Sequence, residues 1–541
     1  MSSVTTVLLR KESQPQRLCL HRRRMPFIDF DLNLPSIPAF GIAVITLVLT
    51  SAMLRSWQAA HRLRHIPGPH PLHSILGHEL DAFVCVTKWK TTGTFPEPFM
   101  EWMLQYGGFV RVRNFLCYAV HVSDPKAVQH ILLTNALNFP RAGAVQSYLN
   151  DHLLGVGLLG ANGPMHTKYR KLLSPHFTAS QIKSFLPIFV TQTQKAISSL
   201  MAKNETHSSV DLGAVFHDLT LRIIGLSAFG FDFEQHSQAH TAYTDYQKPL
   251  SAFAYIGMFT LSRFRDIPLP ELLRRRQVQA KLKSVITDVI ESKLAKSNSA
   301  TAEPEDLLDL ILSHSTTAEA VVHTMTFLFG GHETTGSTMS WVFTMLNDRR
   351  DIAHRIRQEY SQVVAKHGSL STWEAADELK LTLAVIQETM RLRPTVYQFL
   401  PRRVQTDDNL PTMDGTSVCI TKGTDVVIDT TTIHRNPKYW TNAESFEPDR
   451  FLEGTEAWMA DLELRGGKPH AFFYLPFSGG TMNCIGYRFA LAEMQIIVAM
   501  FLSQFEVELT PTANTNPLFT GVILCPLNME VTLRPVDMPT A

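Results

Sequence analysis

Residues 318–347 read AEAVVHTMTFLFGGHETTGSTMSWVFTMLN, and between Glu319 and Asp348 the one carboxylate is Glu333, with no lysine or arginine. A helix this apolar all round has to be buried on most of its faces. About 30 residues at 1.5 Å each make a rod of about 45 Å, so other elements must pack along its whole length. The chain has the material: 541 residues, 45% apolar and 18% charged. Helical periodicity also governs TWEAADELKLTLAVIQETMRLRP (residues 372–394), which reads as a helix ending at Pro394 with arginines in its last turn. The alternating run TSVCITKGTDVVIDTTTIHR breaks at Gly423 and reads as a small hairpin. The expected fold class is mainly α (α+β): a helical body with small β-sheets.

Several function classes drop out. A net charge of +1 gives no reason to expect a nucleic-acid partner. Six cysteines without close pairs do not make a disulfide framework. They fit a reducing compartment, where a functional cysteine acts as thiolate. Neither GxGxxG after a strand nor GxxxxGK[ST] occurs, so a nucleotide fold is not supported. His332-Glu333 begins the zinc-peptidase pattern HExxH, but Gly336 stands where the second histidine belongs.

The N-terminal region divides into an extension (1–34), a transmembrane anchor (35–57) and a basic, proline-containing hinge (58–72), before a catalytic domain (73–541). No residue from Leu32 to Leu54 is charged, enough for a helix of about 20 residues to cross a bilayer. Arg55, Arg62 and Arg64 follow, with Trp57 as an interface anchor. Arg10, Lys11, Arg17, Arg22, Arg23 and Arg24 lie upstream and would draw the N-terminus to the cytosol. Translation from Met25 would remove all six and leave the catalytic part cytosolic; residues 1–24 are therefore read as an extension of the gene model, or else an Arg-rich targeting tail. Lys296–Asp306, KSNSATAEPED, reads as an exposed loop.

Three stretches carry chemistry. In FSGGTMNCIGYRFA (477–490), Cys484 sits among glycines just before a helical pattern. A helix N-terminus stabilises a thiolate, while a buried, inert cysteine is the alternative; spacing alone leaves both open. In the long helix, Gly330 and Gly331 each cost about 1 kcal/mol relative to alanine, which makes sense if a bulky flat object lies against the backbone. Glu333 and Thr334 place an acid and an alcohol side by side there, able to relay protons. A threonine also bonds back to a carbonyl one turn earlier and opens a helix locally. Glu388 and Arg391 in ETMR share a helical face and can pair, with Arg450 of FEPDRF as a third member.

GGHETT, ETMR, FEPDRF and FSGGTMNCIG, in that order, resemble the signature series of the cytochromes P-450, the haem-thiolate monooxygenases. The likeness covers roughly residues 65–541, and RLRPTVYQFLPR is similar to fungal members. It implies haem b ligated by Cys484, with Phe477 packed by the sulfur and Gly480 and Gly486 shaping the loop. It implies that Glu333 and Thr334 deliver protons during oxygen activation, and that Glu388, Arg391 and Arg450 form a structural triad. GPMHTKYRKLLSPHF resembles the propionate-binding helix, which assigns His166 and Arg170 to the haem; Arg402 or Arg403 would add a further cation. Where relatives place a basic residue two before the cysteine, this chain has Met482. One missing charge-assisted bond is worth about 1.5–3 kcal/mol if nothing replaces it.

By the same likeness, Phe329, Tyr397, Phe399 and Phe519 are pocket-wall candidates, with ordinary core packing as their alternative. The implied partners are O2, a lipophilic small molecule such as a terpenoid or other secondary metabolite, an NADPH-dependent flavoprotein reductase and a membrane. A single-pass protein of the endoplasmic reticulum, with its catalytic domain in the cytosol, follows. A non-oxygenating haem-thiolate isomerase or dehydratase, and a haem-binding paralogue with weakened retention, are the rival readings; the intact Glu333-Thr334 pair speaks against both.

Overall fold

The apolar run folds as two α-helices, Thr317–Leu328 and Thr334–Leu346, joined by a π-helical turn, Phe329–Glu333. A capping box starts it: Thr316 accepts from the Glu319 N–H while Glu319 accepts from Thr316. The helix expected to be continuous is thus interrupted where the glycines and the acid–alcohol pair fall. The computed structural model describes residues 37–536, apart from 72, 74–75, 116, 205–208, 233–236, 249, 252, 255–256, 259–263 and 298–305. It falls into two units, one ending at Met53 and one beginning at Leu54.

Helix Leu212–Phe229 lies alongside the long helix at close range. A Cβ on Gly331 would sit 3.1 Å from Ile224, and one on Gly336 3.0 Å from His217. This neighbour is long and apolar enough to cross a bilayer, yet 61% of it is buried in protein, as a core helix is. Phe216, Phe343 and Phe501 join these two helices to Tyr487–Gln504, with ring centroids 5.0–6.1 Å apart. The body is therefore helical and dry, with small sheets at its margins.

The sheets differ from expectation. Ser417–Ile420 and Asp425–Ile428 do not pair with each other. Ser417–Ile420 folds back on Asp408–Pro411 through a turn at Gly415, whose φ is 87°. The more apolar Asp425–Ile428 is taken into a four-stranded sheet, parallel to Cys117–Val122 and antiparallel to Arg402–Arg403. Phe109–Asn114 completes it on the far side of Cys117–Val122. Residues 372–394 likewise form two helices, Trp373–Asp377 and Lys380–Leu392, rather than one.

Ile37–Arg62 is one helix of 26 residues, about 39 Å long at 1.5 Å per residue. Trp57 stays exposed on it. The orientation argument rests on residues 1–24, and the loop on 298–305; both lie outside the described residues. The proline hinge is pinned to the first strand: Arg111 N donates to Pro67 O at 2.8 Å.

Glu388, Arg391 and Arg450 come together with no exposure. Arg391 binds both oxygens of Glu388, at 2.7 and 2.9 Å, and donates to the carbonyls of His434, Ala443 and Ser445. Arg450 Nε reaches Glu388 Oε1 at 3.1 Å. A buried ion cluster tolerates removal of a member poorly, because the partner keeps its charge and loses its compensation. Glu388→Ala should cost about 3–5 kcal/mol, read as a lower urea midpoint. A midpoint equal to the parent's would contradict the assignment.

Candidate functional site

Cys484 ends a tight loop and precedes helix Tyr487–Gln504. Its N–H donates to Phe477 O at 2.9 Å, which closes the loop. Gly480 has φ 68°, and a Cβ there would lie 1.8 Å from Leu132 O, so only glycine fits. At Gly486 an added Cβ meets nothing closer than 4.0 Å. Phe477 is half-buried and tilts against Tyr487, 6.2 Å between centroids. The Cys484 side chain is solvent-accessible on one side. Protein elsewhere around it desolvates the thiol and raises its pKa, opposed by the Gly486 backbone N–H and the Arg170 charge.

Three guanidinium groups gather by this loop. Arg170 donates to Asn483 O at 2.7 Å and Asn483 Oδ1 at 2.6 Å. Arg402 donates to Phe139 O at 3.0 Å and to Met482 Sδ at 3.4 Å. Arg141, which the sequence reading missed, pairs its backbone with Arg402 and donates to Ala161 O at 2.9 Å. Burial pulls Arg141 down to about 9 and Arg402 to about 10, so both remain charged at neutral pH. His166 lies among all three; burial first, then their charges, push it down to about 4. It is therefore a neutral donor, not a fourth cation.

No carboxylate pairs with Arg141, Arg170 or Arg402 among the described residues. The Nε of Arg402 is buried without a hydrogen-bond partner. Uncompensated buried cations are costly, so the donor set fits a ligand that carries carboxylates. Arg403 lies apart from this set: it pairs with Asp425, with Nη2–Oδ2 2.7 Å. Neighbouring strand residues point to opposite faces, which separates Arg403 from Arg402.

The two glycines of the long helix part company. Gly331 is explained by Ile224. Gly330 is exposed within an otherwise buried stretch, and a Cβ there meets nothing within 4 Å. That leaves the backbone open to a flat ligand, as the glycine suggested. Thr334 Oγ1 donates to Gly330 O at 2.6 Å, a bond that accompanies the π-turn. Glu333 points elsewhere: its Oε1 accepts from Gln247 Nε2 at 2.9 Å. Gln247 Nε2 also lies 3.2 Å from His332 Nδ1. Burial pushes Glu333 up to about 7, with Gln247 opposing.

Beside Glu333 lies a cavity lined by Phe329, Tyr246, Gln247, Arg275, His152 and Val522. Phe329 is the wall candidate placed there. Tyr397 and Phe519 instead pack edge-to-face at 5.5 Å, with Trp89 5.2 Å from Tyr397. Phe399 is buried in the core beneath the four-stranded sheet. Polar lining residues come from helices far apart in sequence, which no local pattern announces.

A family model described as Cytochrome P450 matches residues 76–533. Carotene epsilon-monooxygenase, chloroplastic, of Arabidopsis thaliana is 27% identical over 467 residues, covering 81% of this chain and 82% of that protein. Cytokinin hydroxylase of the same plant is 26% identical over 539 residues, covering 93% and 99%. Cytochrome P450 monooxygenase 205 of Postia placenta is 26% identical over 518 residues, covering 87% and 91%.

Glu333 also makes a pH prediction. Its folded pKa lies above the ordinary carboxylate value, so it stabilises the fold least where the unfolded chain would ionise it, above pH 4.5. Glu333→Gln should match the parent's melting temperature near pH 4, gain on it as pH rises to 7, and level off beyond. The gain should be roughly 1–3 °C. A difference that does not change with pH would refute the buried, proton-holding carboxyl.

Proposed function

The chain belongs to the cytochrome P450 family and is an oxidoreductase; on that premise we propose that it inserts one atom of O2 into a lipophilic substrate. Haem b would be held by Cys484, and electrons would come from NADPH through a separate flavoprotein reductase. The observation that carries this reading is the set of cations without carboxylates beside the Cys484 loop, Arg141 and Arg402 buried and Arg170 half-buried. When bound, haem would supply the oxygen-activating chemistry, assisted by the electron density of a thiolate ligand.

The chain's own residues take the remaining roles. Arg141, Arg170 and Arg402 bind the propionate carboxylates, and His166 adds a neutral donor. Cys484 binds as thiolate, which metal coordination favours despite the raised thiol pKa. Gly330 lets a flat ring lie against the backbone. Thr334 keeps its hydroxyl on Gly330 O, and Glu333 holds a proton near neutral pH. With haem bound, the two would serve as proton donors on that side of it, Glu333 after leaving Gln247. The polar fraction of the cavity beside Phe329 favours a lipophile that also carries oxygen, such as a terpenoid or other secondary metabolite.

The helix Ile37–Arg62 is long enough for a single-pass anchor, which supports a membrane-bound enzyme; the endoplasmic reticulum, with the catalytic domain in the cytosol, is the proposed location. Retention of Glu333 and Thr334 favours a monooxygenase over an isomerase. Incubation with reductase, NADPH and labelled O2 across a panel of oxygenated terpenoids tests the reaction. One labelled oxygen in a product supports it; conversion without NADPH or without label overturns it.

Haem retention discriminates among the cations. Arg402→Leu should lose haem to excess apo-globin about 10-fold faster than the parent, the value of one charge-assisted bond. Arg403→Leu should not, because Arg403 is spent on Asp425. Met482→Arg, which adds a fourth cation, should release haem more slowly. Equal rates for the two arginine variants would remove Arg402 from the site.

A further inference from the structure

Glu388, Arg391 and Arg450, all fully buried, carry one net positive charge between them. A fourth buried residue cancels it. Asp461, on helix Glu456–Leu464, accepts from Arg450 Nη1 at 2.6 Å and is itself fully buried. Its other oxygen accepts from Thr441 N at 2.7 Å and Thr441 Oγ1 at 2.5 Å. Arg450 completes its set on Thr441 O at 3.0 Å, with Glu447 3.7 Å away. One guanidinium thus ties Glu388 of helix Lys380–Leu392 to Asp461 of a helix 20 residues before the cysteine loop closes.

From that helix to Cys484 the chain is pinned at successive points. Arg465 lies over the Trp440 ring at 4.9 Å, and His470 stacks on Trp440 and Phe451 at 5.6 and 5.0 Å. Tyr474 Oη donates to Gln387 O at 2.9 Å. Leu475 N donates to His434 Nε2 at 2.7 Å, and the His434 carbonyl accepts from Arg391 at 2.8 Å. Burial and Arg391 hold His434 down to about 3, so its Nε2 keeps a lone pair for that bond. Cys484 N then closes on Phe477 O.

We propose that Asp461 is a positioning residue for the haem ligand: its charge locks Arg450, and through it the segment that carries Cys484. This rests on the reading of Cys484 as the ligand. Without the carboxylate, the buried cluster has an excess guanidinium, and the segment from residue 456 onward loses its charged tie to helix Lys380–Leu392, keeping only the neutral bond from Tyr474 to Gln387 O. The looseness should appear at the cysteine loop before the fold as a whole gives way.

The test is the reduced, carbon monoxide-bound absorption spectrum of haem-loaded Asp461→Asn on warming, with circular dichroism followed in parallel. The thiolate-type band should fall to less than half the parent's fraction at a temperature where helix content matches the parent's. A parent-like band at that temperature overturns the proposal. If Asp461→Asn does not accumulate, Asp461→Glu decides. It keeps the charge but displaces the helix by one methylene, and should show a partial loss of the band at parent-like helix content; no loss overturns the proposal. A parent that lacks the thiolate-type band would instead refute the ligand assignment, so the two failures are distinct.

Discussion

Two guanidinium groups sealed from water, Arg391 and Arg450, dictate how the second half of the chain is arranged. Each of their N–H groups must find an acceptor, because an unpaired buried charge costs several kcal/mol. The acceptors come from Glu388, Asp461 and the carbonyls of His434, Thr441, Ala443 and Ser445. These sit on four separate stretches, so satisfying two side chains fixes the path of residues 434–461. Trp440 lies against both guanidiniums, at 5.3 and 6.0 Å, and adds area where further hydrogen bonds have no room. The cysteine loop hangs from this frame.

The opposite electrostatic arrangement holds at the loop itself. The frame is charge-balanced; the pocket beside Cys484 is not. Arg141, Arg170 and Arg402 surround His166 with carbonyls, an amide and a thioether for company. A protein keeps such an excess where a bound anion completes it. Met482 fits this picture. Its sulfur is a weak acceptor for Arg402, where a basic residue would have added a like charge to three already present. Arg141 belongs to the same cluster, a cation that linear spacing from the cysteine does not show.

Much of this was legible in the sequence, and the exceptions share a cause. The long helix and the Glu388–Arg391 pair are local patterns, readable from spacing on one element, whereas the roles expected of Cys484, Arg450 and the acid–alcohol pair came from the ordered series of motifs. The π-turn was half-visible, as a threonine able to bond back one turn. Arg141 and Asp461 were not visible, because each acquires its role only when a distant segment folds against it. The strand at Asp425–Ile428 failed for a similar reason: alternation shows that a strand forms, but not which neighbour it joins. Tyr397 and Phe519 pack on one another, the alternative that aromatic residues near a site in sequence always carry.

Everything said of the cysteine loop turns on Cys484 binding iron as a thiolate. The reduced, carbon monoxide-bound absorption spectrum of the purified protein tests this directly, alongside that of Cys484→Ser. The parent should show the red-shifted Soret band of thiolate ligation, and Cys484→Ser should lack it. A parent without that band, or a serine variant that retains it, would contradict Cys484 as the ligand.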